Sequence, residues 1–154
     1  MDKNFLHQFS IVLASQSPRR QQIIRDMGIS FITRTNKEID EVYPQTLESK
    51  DVASFLSNLK FDAYQKDLAE NELLITADTI VCCKNRVLGK PKSRDEAIEM
   101  ITHLSGTDHI VYTGITVGTK HKKITDCDST IVHFSQLSHN EIEWYIDTYK
   151  PYDK

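Results

Sequence analysis

Among the 154 residues, cysteine occurs only three times, as Cys82, Cys83 and Cys127. The count is odd and two of the three are adjacent. That argues against a disulfide-built scaffold and points to a reducing cytoplasm. No Cys-x-x-Cys or His-x-x-x-His spacing marks a structural zinc site, and the six histidines are scattered without a ligand pattern. No apolar run approaches the ~20 residues of a membrane helix. The first eight residues, Met1 to Gln8, lack the long apolar core of a secretory signal. An excess of one charge is missing too: 19 Lys and Arg stand against 22 Asp and Glu, a net charge of −3. This argues against a disordered acidic chain and against a protein that wraps nucleic acid in its overall field. A polyanionic ligand would have to be met by a local cluster. There is no internal repeat, low-complexity tract or clear linker, so the length reads as one domain over residues 1–154.

What is present alternates between strand and helix signals. Phe9 to Ala14 is a short apolar run suited to a buried strand. Ser17-Pro18 opens a helix with Ile23, Ile24 and Met27 on its apolar face, stopped by Gly28. Residues 29–34 read as a second strand and 35–47 as a polar loop. Val52, Phe55, Leu56, Leu59 and Ala63 share one face of a long helix. Leu73 to Cys83 is strand-like, and Arg86 to Leu88 suits a short partner across Lys84-Asn85. Ser93 to Glu96 and Ser138 to Glu141 are capping-box patterns, each before a helix. Between them, His109–Val117 and Ile124–Phe134 read as strands around a polar turn. Cys82-Cys83 reads as core filler. Trp144 and the tyrosines of the last helix suit packing or an interface. The sum is one α/β unit: a mixed sheet with flanking helices.

Four places conflict with a purely structural design. Ser15-Gln16-Ser17-Pro18-Arg19-Arg20 puts two arginines in the first turn of a helix, where the dipole disfavours cations by ~0.3–1 kcal/mol each. Either both arginines are solvated, or they converge with backbone N–H groups and two hydroxyls on an anion such as phosphate. Asp78 interrupts the β-forming run Leu74 to Val81. A buried carboxylate is costly unless paired or bound to a metal, so Asp78 is a structural partner, a base or a ligand. Leu88-Gly89-Lys90-Pro91 is either a turn with an exposed lysine or a point charge for a phosphate. Glu38-Ile39-Asp40-Glu41 is either a solvated loop or a source of oxygen ligands for a hard divalent cation. Lys60 lies near the apolar face of the long helix, where lysines commonly snorkel to water.

Taken in order, Ser-x-Ser-Pro-Arg-Arg, Ile-Asp-Glu, Ala-Asp-Thr-Ile-Val, Leu-Gly-Lys-Pro, Leu-Ser-Gly and Tyr-Thr-Gly resemble the Maf family of nucleoside triphosphate pyrophosphatases. The resemblance runs from about Phe9 to Lys154. It implies a mixed-sheet α/β fold with two lobes around a cleft, akin to inosine triphosphatase, and a homodimer. It also implies hydrolysis of nucleoside triphosphates to the monophosphate and pyrophosphate with Mg²⁺ or Mn²⁺, a house-cleaning role in the nucleotide pool. The segment Leu104 to Gly114 looks more like the dTTP/UTP branch than the 7-methyl-GTP branch. By the same resemblance, Asp78 matches the catalytic proton acceptor. Ser15, Arg19 and Arg20 match the phosphate-binding first motif, Lys60 and Lys90 two further phosphate lysines, and Glu41 the loop acid. Glu41 and Asp78 would hold the metal. Arg19 and Thr79 match positions tied to substrate choice.

Two departures accompany the match. Phe61 follows Lys60 where the family usually has alanine. After its Asp-Lys the family pattern continues with Ala-Gly-x-Tyr-x-Ile-Gln, which supplies a glutamine linked to base choice and closes the second lobe. The sequence ends at Asp153-Lys154, so the C-terminal part of the family domain is expected to be absent. The competing expectation is a non-catalytic nucleotide- or partner-binding protein acting in septum control. Retention of Asp78, Glu41 and the basic set favours the enzyme. Neither a nucleic acid nor a membrane is expected as a partner.

Overall fold

In a computed structural model, residues 8–152 are described. Met1 to His7, part of the stretch read for a signal sequence, and the terminal pair Asp153-Lys154 lie outside the described residues. The elements run β1 (Ser10–Leu13), α1 (Pro18–Asp26), β2 (Ile32–Thr33), α2 (Ser49–Gln65), β3 (Glu72–Cys83), β4 (Arg86–Leu88), α3 (Arg94–Leu104), β5 (Asp108–Gly118), β6 (Lys123–His133) and α4 (His139–Tyr149). Among the described residues no helix is long and apolar enough to cross a membrane.

One sheet takes all six strands in the order β2-β1-β3-β5-β6, with β4 paired to β3. β1 pairs parallel with both β2 and β3, whereas β4 runs antiparallel to β3, so the sheet is mixed. Backbone bonds at Gly106/Ser135, Thr107/Phe134 and Thr119/Lys122 keep one register with the side-chain pairs Asp108/His133 and Thr116/Thr125. β5 and β6 are therefore an antiparallel hairpin. The β3–β4 turn places Lys84 and Asn85 at positive φ, 50° and 62°, as a two-residue hairpin loop demands.

The chain divides into two compact units. The first takes in the chain up to Thr79 together with Thr113–Asp128, and the second Ile80–Tyr112 with the chain from Ser129 on. In the first unit, side chains alternate across β1 and β3, as strand geometry requires. Ile11, Leu13 and Ile75 pack with Ile24 of α1, while Val12 and Leu74 pack with Phe61, Tyr64 and Leu68. Strands buried on both faces read as unbroken apolar runs, which is what Ile11–Ala14 and Leu73–Ile75 are. Phe61, the departure from the family's alanine, is fully buried in this cluster. In the second unit, Ala97 of α3 packs on Ile142 and Ile146 of α4. The guanidinium of Arg94 forks onto Asp147 and Glu143 across the same two helices.

The helix caps carry the expected residues with one change. Ser138 and Glu141 form the full capping box. At α3 only half of it forms: Ser93 accepts from the Glu96 N–H, but the Glu96 carboxylate accepts from the backbone of Lys92. The apolar face expected for α1 is narrower than Ile23, Ile24 and Met27 suggest. Only Ile24 is buried; Ile23 and Met27 lie open, because α1 meets the sheet along a single row. β2 is two residues long, shorter than the 29–34 run. Cys82 and Cys83 are buried, and none of the three cysteines forms a disulfide.

Candidate active site

β1 accompanies β3 only as far as the Leu13/Ile75 pair, with one more bond from the Ala14 N–H to the Ile75 carbonyl. Beyond that point the chain turns into α1, and the β1-side edge of β3 is free for other donors. Ser15 and Ser17 build the turn: the Ser15 hydroxyl accepts from the Ser17 N–H (3.2 Å), and the Ser17 hydroxyl caps α1 at the Arg20 N–H (3.5 Å). Pro18 holds the first helical position. No acid occupies the first turn, so the dipole and two arginines stay unneutralised from within α1.

Arg20 uses the freed strand. Its guanidinium donates to the Ala77 carbonyl (2.9 Å) and to the Thr79 hydroxyl (3.0 Å). Thr79 in turn shares a hydrogen bond with Thr113 of β5 (3.2 Å). Burial pulls the Arg20 pKa down from its usual value, the charges of Asp78 and Glu41 oppose that, and Arg19 adds to it. The group remains a cation, as arginine does in proteins. Arg19 is exposed.

Asp78 alternates with Thr79 and faces α2 instead. Its side chain is 10% exposed and accepts from the Lys60 ammonium at 2.5 Å; the same ammonium reaches the loop carboxylate of Glu41 at 2.9 Å. Lys60 is only 15% exposed, so it does not snorkel; it bridges two acids. Burial pushes the Asp78 carboxyl above its ordinary value. The Lys60 hydrogen bond and charge pull the other way, Glu41 adds to the push, and Arg20 to the pull. A buried carboxyl pushed up and held beside cations is suited to accept a proton.

The structure thus gathers Ser15, Arg20, Glu41, Lys60, Asp78 and Thr79 in the first unit, around the open edge of β3. Lys90 belongs to the second unit, where it lies exposed in the coil between β4 and α3. The first unit also holds a set of hydroxyls that the sequence did not single out. Ser57, Thr76 and Thr116 are all fully buried and mutually bonded between α2, β3 and β5. Their signal was present as serine and threonine at core-facing positions of an apolar helix and two apolar strands.

A divalent cation suits the acids here. Asp78 and Glu41 already converge on one shared positive charge, and magnesium is commonly held by one or two carboxylates, with waters and substrate phosphates completing the shell. Among the described residues no group of three or more His, Cys, Asp and Glu side chains is placed to hold a metal.

The architecture falls in a known structural class. The Staphylococcus aureus Ham1 protein aligns with 80% of this chain and 71% of its own, with TM-score 0.57 and 15% identity. A HAM1 protein from Coxiella burnetii aligns with 81% of this chain and 72% of its own, with TM-score 0.50 and 17% identity. The fold is the mixed α/β fold of these Ham1 proteins. Within that class, the family of Maf-like proteins matches residues 10–154, and the chain belongs to it. A relative from Flavobacterium johnsoniae, named dTTP/UTP pyrophosphatase, is 43% identical over 154 residues, 100% of this chain and 79% of its own. A Bacteroides thetaiotaomicron relative of the same name is 41% identical over 149 residues, 97% of this chain and 77% of its own.

Proposed function

We propose that the protein is a nucleoside triphosphate pyrophosphatase that takes dTTP and UTP, releasing the monophosphate and pyrophosphate and so clearing the nucleotide pool. The observation that carries this is the Glu41–Lys60–Asp78 cluster beside Arg20 and the N-terminus of α1. It pairs a buried proton acceptor with a concentration of positive charge, as attack on a phosphoric anhydride requires.

The scissile bond joins the α-phosphorus to a leaving pyrophosphate, and negative oxygens crowd that centre. Catalysis is then mostly positioning and charge neutralisation. The α1 N-terminus, Ser15, Arg19 and Arg20 receive the triphosphate, with Lys60 as a further cation. Asp78 takes the proton of the attacking water, help of a kind typically worth 10²–10⁴-fold. Glu41 and Asp78 would hold Mg²⁺ or Mn²⁺, which when bound lowers the pKa of a coordinated water and shields phosphate charge. Arg19 and Thr79 bear on substrate choice. The family resemblance extends the reading to a homodimer acting in the cytoplasm.

The test is pyrophosphate release from a panel of triphosphates, with Mg²⁺ and with chelator. The expected result is metal-dependent release, fastest with dTTP and UTP. No release above the chelator blank from any triphosphate would overturn the enzymatic reading in favour of a binding protein acting in septum formation.

A further inference from the structure

The buried hydroxyls between α2, β3 and β5 are out of place in a core built for stability. Valine at 76 and 116 and alanine at 57 would fill nearly the same space. A buried hydrogen bond is worth only about 1 kcal/mol net, close to what an apolar replacement returns. Where local composition disagrees with core design, function is the usual reason.

The bonds have a fixed direction. Ser57 spends its single proton on the Ser54 carbonyl (2.9 Å). Its oxygen therefore accepts from Thr116 (3.0 Å), and Thr116 must accept in turn from Thr125 of β6 (3.0 Å). Separately, Thr76 donates to the backbone carbonyl of Ser57 (2.8 Å). Next to this point, the α2 backbone presses on β5 so closely that a Cβ at Gly114 would stand 2.2 Å from the Ala53 carbonyl oxygen. The helix is thus bonded and wedged against the sheet at one turn.

The spacing connects that turn to the site. Ser57 and Lys60 are three apart on α2 and share a face. Thr76 and Asp78 are two apart on β3 and share a face. Helix and strand therefore meet in two rungs, Thr76 on the Ser57 carbonyl and Asp78 on the Lys60 ammonium. We propose that Thr76, with Ser57 and Thr116, is a positioning device that sets the rotation and height of α2, so that Lys60 is delivered onto Asp78. The proposal deepens the pyrophosphatase reading, but its geometry stands without it.

The test compares Thr76→Val with Thr76→Ser, which keeps the hydroxyl. In the full chain, Lys60 is labelled with an amine-reactive ester and its modification rate followed by peptide mass spectrometry. Lys37, which is bonded to the Ala63 carbonyl farther along α2, serves as the internal reference. Thr76→Val is expected to raise the Lys60 rate several-fold with Lys37 unchanged, and Thr76→Ser to restore it. With dTTP, kcat/KM is expected to fall about tenfold in Thr76→Val and to recover in Thr76→Ser, the loss of a charge that the substrate meets on the way to the transition state. An unchanged Lys60 rate, equal acceleration of Lys37, or no rescue by serine would each overturn the proposal. A wild-type protein that hydrolyses no triphosphate would overturn the pyrophosphatase reading alone, since the labelling result does not depend on turnover.

Discussion

Replacing Lys60 by methionine would leave two acids facing each other without their shared cation. The Lys60 and Asp78 side chains are 15% and 10% exposed, so bulk water does little to screen what is left. Removing one partner of a buried pair costs about 3–5 kcal/mol. Glu41, with its side chain 48% exposed, adds little, because exposed pairs are worth about 0–1 kcal/mol. The lower figure applies here, since Asp78 can escape its unpaired charge by taking a proton. About 3 kcal/mol corresponds to a fall in Tm of about 6–12 °C for a chain of this size. The pH dependence has a definite sign. The Asp78 pKa already lies above its ordinary 3.8, and Lys60 supplies the largest downward pull. In the variant, the folded chain therefore holds a proton that the unfolded chain releases between those two values. Its stability is greatest below the ordinary value and falls as pH rises through that window. Urea unfolding at pH 5 and pH 8 reads this directly: the deficit against wild type is expected to be smaller at pH 5. Adding Asp78→Asn should recover most of it at pH 8, because the uncompensated charge is gone. An equal deficit at both pH values, or none at either, would refute the reasoning.

Further outcomes follow from other contacts. Arg34 forks onto the buried carboxylate of Glu72 at 3.0 and 2.5 Å and holds its pKa below the ordinary 4.5. That stability is present above 4.5 and is lost as pH falls through the folded value, so Arg34→Met should cost about 2 kcal/mol at pH 7 and much less at the acid end, read by urea titration. Gly114→Ala drives a methyl into the Ala53 carbonyl and should cost about 3 kcal/mol or more, or abolish folding, as thermal unfolding would show. Arg19 is exposed, so Arg19→Ala should leave Tm unchanged while raising KM for dTTP about tenfold or more, the worth of a charge-assisted hydrogen bond. Unchanged kinetics would return Arg19 to the solvated surface.

Much of this was legible in the sequence because local chemistry and tertiary packing agree. Phe9–Ala14 and Leu73–Cys83 read as strands because most side chains on both faces of β1 and β3 are buried. Ser17, Ser93 and Ser138 read as caps because the first helical N–H groups need acceptors. Asp78 stood out because a carboxylate inside a β-forming run requires compensation. The nature of that compensation was not legible. Lys60 lies eighteen residues from Asp78, and only the register of α2 on the sheet brings the ammonium between two acids. The Arg20 contacts depend on β1 leaving β3 after Ile75; the end of the strand at Ala14 was marked, but not the stretch of β3 that it leaves open. The overestimated face of α1 shows the converse: Ile23 and Met27 fit the helical period, but the sheet offers one row of contacts. The buried hydroxyls were hidden because serine and threonine are unremarkable until their burial is known.

The central claim is that Asp78 serves water attack on the α-phosphorus of a nucleoside triphosphate. Hydrolysis of dTTP in ¹⁸O-labelled water with Mg²⁺, wild type beside Asp78→Asn, tests it most directly. The expected result is label in the nucleoside monophosphate, none in the pyrophosphate, and at least about 10²-fold slower release from the asparagine variant, with its fold intact. Label in the pyrophosphate, or wild-type turnover by Asp78→Asn, would contradict it.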